Sequence, residues 1–132
     1  ADRRFTFSFA RKWTEEDMMA YLKKQAISPS YSQLIEKMEG YEGRIMDYKA
    51  YIVDIGASGD MYVVRMALNR KSGEYSNIIL VTTDEKPNFQ VDEQVMMYGT
   101  CAGMSLSTGV EGEEEDSESY PCFELLLFAS LE

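Results

Sequence analysis

From residue 44 onward the chain carries five runs of strand-type residues separated by turn residues, with no further helical period. That texture constrains the fold more than any other feature. Apolar residues at every second position bury only one side of an extended strand, so several such strands must share that side in a barrel or a sandwich. The first run, 44 to 55, sets Met46, Tyr48, Ala50 and Ile52 in one phase and Val53 and Ile55 in the other. A phase change beside a small residue predicts a bulge at Ala50, which lets one long strand serve both halves of a small barrel. The second run, 61 to 69, sets Tyr62, Val64, Met66 and Leu68 on one face, and Lys71-Ser72-Gly73-Glu74 reads as a hairpin turn into a third run, 75 to 83. Runs at 94 to 104 and 121 to 131 complete the set, and residues 84 to 93, with Pro87 and Asn88, form a connection of little helical pattern.

Five strands with a long first strand and a variable connection after the third predict an OB-like β-barrel rather than a seven-stranded sandwich. The expected inward set is Met46, Tyr48, Ile52, Val64, Met66, Leu68, Leu80, Val95, Met97, Leu125 and Leu127. Upstream, Thr14 precedes Glu15, Glu16 and Asp17 as an N-cap with an acidic first turn, and Met18, Met19, Leu22 and Ala26 give a helical stripe that Pro29 ends. This predicts a helix over 15 to 26. Tyr31, Leu34, Ile35 and Met38 predict a second near 32 to 38, stopped by Gly40 and leading into the turn Gly40-Tyr41-Glu42-Gly43. Residues 4 to 9 alternate, with Phe5, Phe7 and Phe9 on one side, which predicts a short strand. The expected fold class is therefore mainly β (α+β): one domain over 1 to 132, with an N-terminal strand and helical segment over 1 to 40 and the barrel over 41 to 132.

Composition narrows the function. With 45% hydrophobic and 27% charged residues the chain is globular in type, and no apolar run approaches the roughly 20 residues of a membrane helix. It begins with Ala1, so a preceding segment is expected to have been removed. The net charge of -10 opposes nucleic-acid binding, which draws its affinity from Lys and Arg on phosphates. Glu111, Glu113, Glu114, Glu115, Asp116 and Glu118 carry six of those charges. They lack the spaced ligands of a calcium loop, so a solvated loop that repels its own charges is expected, and no metal site. The outward positions of the second run, Met61, Val63, Arg65 and Ala67, supply one cation and no stacking aromatic, against the platform that single-strand binding uses.

No His occurs, which removes the usual general base near neutral pH and the commonest metal ligand. No acid and base stand together in a recognisable motif, so no enzyme and no cofactor are expected. The nine Met residues fall in core phases and read as adaptable filler. Phe5, Phe7, Phe9 and Trp13 form an aromatic face that either packs on the barrel or covers another chain, which makes them a candidate interaction surface and a homo-oligomer one outcome.

Tyr31 to Leu34 matches a Tyr-x-x-Leu helix, Tyr41 to Gly43 a Tyr-x-Gly turn, and Ile79-Leu80-Val81-Thr82-Thr83-Asp84 a third strand. Asp92-Glu93-Gln94-Val95-Met96-Met97-Tyr98-Gly99-Thr100 matches an Asp-x-x-Val-x-Val-Tyr-Gly-Thr entry to the fourth. Over about residues 30 to 131 the chain thereby resembles an OB-fold domain of predicted secreted proteins and lipoproteins of Gram-positive bacteria, related in shape to the tRNA-anticodon-binding-like OB group. The resemblance implies an extracellular or cell-surface location. It also implies a non-catalytic binding or accessory role toward a peptide, protein or cell-envelope ligand. The alternative function is a structural self-association module using the N-terminal aromatic strand; single-stranded nucleic-acid binding ranks lower. Cys101 and Cys122 flank the acidic stretch, where an antiparallel hairpin brings them together, either as a disulfide or as small buried hydrophobes. The oxidising compartment that the resemblance implies favours the disulfide.

Overall fold

The computed structural model describes residues 14–105 and 119–131. Helix α1, Glu15–Gln25, opens on the expected Thr14, whose side chain accepts from the Asp17 backbone N–H while Asp17 answers to the Thr14 N–H. Helix α2, Tyr31–Glu36, opens on the same device built from Ser30 and Gln33. A third short helix, α3, Met38–Tyr41, runs through Gly40. The chain leaves it at Gly43, whose φ of +87° only glycine adopts without strain, so the expected stop at Gly40 lies three residues early. Leu34 and Met38 are buried and Tyr31 packs beside them, whereas Ile35, expected on the same face, is 40% exposed.

Five strands follow: β1 Ile45–Ser58, β2 Met61–Lys71, β3 Glu74–Thr83, β4 Gln94–Ser105 and β5 Tyr120–Ala129. Each neighbours two others, so the sheet closes into a ring in the order β1-β2-β3-β5-β4. All pairings are antiparallel except β3 with β5, a parallel seam of Leu80↔Cys122, Val81↔Phe123 and Thr82↔Glu124. The first half of β1 pairs with β4 and the second half with β2, and the register shift between them falls at Ile52/Asp54. The bulge is thus at Val53 rather than Ala50. Ala50 stays in phase with Met46, Tyr48 and Ile52 and is fully buried.

Inside the ring, Met46, Tyr48, Ile52, Val64, Met66, Val95 and Met97 form one cluster with Ile79, Val81 and Phe123, and Leu68 and Leu125 pack against it. Leu34 and Met38 join this cluster, so α2 and α3 close over the ring interior. Tyr48 donates to the Pro29 carbonyl at 2.6 Å and Tyr31 to the Ile78 carbonyl at 2.7 Å, which ties the helical segment to its seat. Two expected inward residues face the other way. Leu127 packs with Met18, Leu22 and Tyr98 beneath α1, because β5 shifts register between Leu125 and Leu127. Leu80 is buried but alternates with Ile79 and Val81, which hold the interior phase. No helix among the described residues is long and apolar enough to cross a membrane.

Candidate functional site

The split in β1 has a geometric result. Pairing between β1 and β2 begins only at Tyr51↔Ala67, so the stretch from Asn69 to Ser76 continues as a two-stranded arm that β1 does not accompany. Ser72 at φ +55° and Gly73 at φ +80° turn the arm, the two positive values that a tight primed turn requires. A cleft of about 560 Å³ lies where arm and ring part: Tyr51 and Gln94 border it from the ring, Asn69, Arg70, Lys71 and Ser76 from the arm.

An exposed polar staple holds the arm. The Arg70 guanidinium Nη1 and the Tyr75 hydroxyl both donate to Oδ1 of Asp92, in the connection before β4. Asp92 has φ +73°, a conformation that its short polar side chain tolerates better than most. The Arg70 guanidinium also lies 4.8 Å from the centroid of the Tyr51 ring, and the Tyr51 and Tyr75 rings are 6.3 Å apart at 52°. The hydrogen bond from Tyr75, then that from Arg70, holds the Asp92 carboxyl below the usual carboxylate range. The bond to Asp92 holds the Tyr75 phenol above its ordinary value. A lowered acid contributes stability at neutral pH that is lost as pH falls through its folded value, and a raised phenol contributes stability that is lost as pH rises through its own. The arm should therefore loosen at both extremes. In a carbon-detected carboxyl titration Asp92 is expected to titrate below 3.8, the value of an ordinary aspartate, and Tyr75→Phe to move it back upward. Titration at or above that value in the parent chain would show that the staple does not form in solution.

The residues singled out from sequence fall elsewhere. Phe5, Phe7, Phe9 and Trp13 lie outside the described residues, as does Glu111 to Glu118. On the outer side of β2, Val63 and Ala67 are buried, Met61 is 40% exposed, and Arg65 pairs with Asp54 at 3.3 Å. That side offers no aromatic platform. Cys101 and Cys122 are free thiols, which corrects the expected disulfide. The hairpin does form, but Cys101 stands opposite Phe123, so Cys122 is one residue out of register and on the opposite face. Cys101 points into the core, where its Sγ lies 3.3 Å from Met38 Sδ. Burial raises both thiols above their ordinary value, which makes them poor nucleophiles near neutral pH. Thiol titration of the native protein under oxidising conditions should find both cysteines free, with Cys101 reacting only as fast as the protein opens. A mass lower by two hydrogens would contradict this.

Arg70 and Lys71 are adjacent cations at the start of the hairpin turn, and nothing in the sequence around them marks a site. The partners of Arg70, Tyr51 and Asp92, lie on other segments, out of reach of any local pattern. No family model, curated protein or solved structure matches the chain.

Proposed function

We infer that the chain is a non-catalytic binding or accessory domain of an exported protein, built as an OB-like barrel, that engages a cell-envelope component at the cleft beside the β2–β3 arm. The observation that carries this reading is the cleft. It is an open recess of about 560 Å³ whose bordering Asn69, Lys71, Ser76 and Gln94 side chains have no partner among the described residues. The ring order, with its single parallel seam between β3 and β5, supports the OB-like assignment. A ring interior filled by side chains leaves the surface as the place for a ligand. The raised thiols and the absence of His from the sequence argue against nucleophilic or general-base chemistry. The exported location rests on the family resemblance alone.

Cosedimentation with purified Gram-positive cell walls tests the reading. The domain should pellet with the walls, and Arg70→Glu, which breaks the staple, should reduce the bound fraction. A parent domain that stays in solution overturns the reading. Concentration-dependent self-association lost on deleting residues 1 to 13 would favour the self-association alternative.

A further inference from the structure

We propose that the cleft binds a neutral saccharide chain, a ligand class that rests on the binding reading above. Asn69 and Gln94 each present an amide with both donor and acceptor ends, and Ser76 presents a hydroxyl with the same dual character. Sugar hydroxyls are themselves donors and acceptors, so they can pair with groups of this kind without leaving a charge unmatched. None of these side chains is committed to another described residue. Tyr51, half-buried, is the one aromatic residue that borders the cleft. Aromatic rings of this kind stack on the apolar C–H faces of pyranose sugars while their edges stay polar.

The staple fixes the ring in place. Arg70 holds its guanidinium over Tyr51 and is itself held by Asp92, and Tyr75 packs at an angle beside it. A platform fixed before the ligand arrives loses less entropy on binding.

Charge decides against the nearest alternatives. Arg70 is already paired with Asp92, which leaves Lys71 as the one cation bordering the cleft without a partner among the described residues, with Glu74 opposite it in the arm register. A single exposed lysine gives a phosphate or a polyuronate little to hold on a chain that carries -10 as a whole. A peptide anchored by an apolar side chain would need an apolar pocket. The one aliphatic residue at the cleft, Leu68, packs against the ring interior instead. The polar groups sit along an open recess rather than a closed hole, which suits a chain that passes through more than a single capped sugar.

The test is amide and side-chain NMR titration of the full chain. The probes are hexasaccharides of glucose, xylose and N-acetylglucosamine, each neutral, with polygalacturonate, inorganic phosphate and a pooled peptide library as contrasts. At least one neutral hexasaccharide should shift Tyr51, Asn69, Ser76 and Gln94 together, with Kd near or below about 1 mM. Gln94→Ala and Asn69→Ala should each weaken it by about tenfold or more, which is about 1.4 kcal/mol. Tyr51→Phe should keep most of the affinity, because stacking needs the ring and not the hydroxyl. Asn69 is exposed and Gln94 half-buried, so a one-dimensional spectrum of each variant should show an intact fold. Three results overturn the proposal: no cleft shift with any neutral sugar, shifts only with the anionic or peptide probes, or sugar binding indifferent to both amide variants. If the domain pellets with cell walls yet ignores the sugars, the saccharide proposal fails and the binding reading stands. If neither occurs, both fail.

Discussion

Phe123→Ala is expected to cost about 3 to 5 kcal/mol of unfolding free energy, the range for emptying a buried aromatic site. Phe123 is completely buried and pairs with Val81 across the parallel seam and with Cys101 across the antiparallel one. Its ring meets Tyr48 edge-on at 6.0 Å and 67°, so it joins β1, β3, β4 and β5 within one side chain. Closed sheets relax poorly around a hole because every strand is held on both sides. The loss therefore belongs toward the upper part of the range. Against a typical domain stability of about 5 to 15 kcal/mol, chemical denaturation should show a markedly earlier midpoint, and the melting temperature should fall by roughly 10 °C or more. A loss under about 1 kcal/mol would mean that the ring collapses around the gap and that the interior is not closely packed.

The second large effect is expected at Gly99. A Cβ there would stand 2.9 Å from Met97 Sδ, 3.0 Å from the Glu124 carbonyl oxygen and 3.2 Å from Phe123 Cβ. Met97 has a flexible side chain and can swing aside. The Glu124 carbonyl belongs to the neighbouring strand, so relieving that contact means parting β4 from β5. Replacing glycine by alanine stabilises by about 0.4 to 1 kcal/mol where there is room, since the unfolded chain loses freedom. Overpacking a tight site costs about 1 to 3 kcal/mol. Overpacking wins here because two of the three contacts are with atoms that cannot rotate away. Gly99→Ala should lower stability by about 1 to 2 kcal/mol, and Gly99→Val by more, in equilibrium denaturation. A stabilised Gly99→Ala protein would show that β4 and β5 separate at little cost.

Strands were legible where one side of the chain faces the core and the other carries polar residues, as in β1, where Asp47 and Lys49 alternate with the buried Met46, Tyr48 and Ala50. Legibility failed where both sides are covered. In β5, Leu125, Leu126, Leu127, Phe128 and Ala129 are apolar without interruption, because one side meets the ring interior and the other meets α1. An uninterrupted apolar run has no phase to read, so Leu127 was placed on the wrong side. Leu80 failed for the same reason within Ile78-Ile79-Leu80-Val81. Around the bulge, Ile52, Val53 and Ile55 are all apolar, and composition does not tell which residue is the extra one. The cysteine error has a related origin: which residues face each other across β4 and β5 depends on two register shifts, at Tyr98/Gly99 and Cys101/Met104, that leave no mark on composition. The cleft was the least legible part. Arg70 reaches Asp92 on a segment distant in sequence, and Tyr51 comes beside Arg70 from a third segment, β1.

The order of strands around the ring bears on how fast the chain can find its fold. Three of the five seams join strands that follow one another in sequence, and a local hairpin can form in microseconds. The remaining two seams join β1 to β4 and β3 to β5, as in Ile45↔Thr100 and Leu80↔Cys122, and neither can form until distant segments have met. The entropy of closing those long loops is lost before the core packing that offsets it is gained. A three-stranded piece and a two-stranded piece thus have to dock at both seams nearly together. Folding should take milliseconds to seconds rather than microseconds.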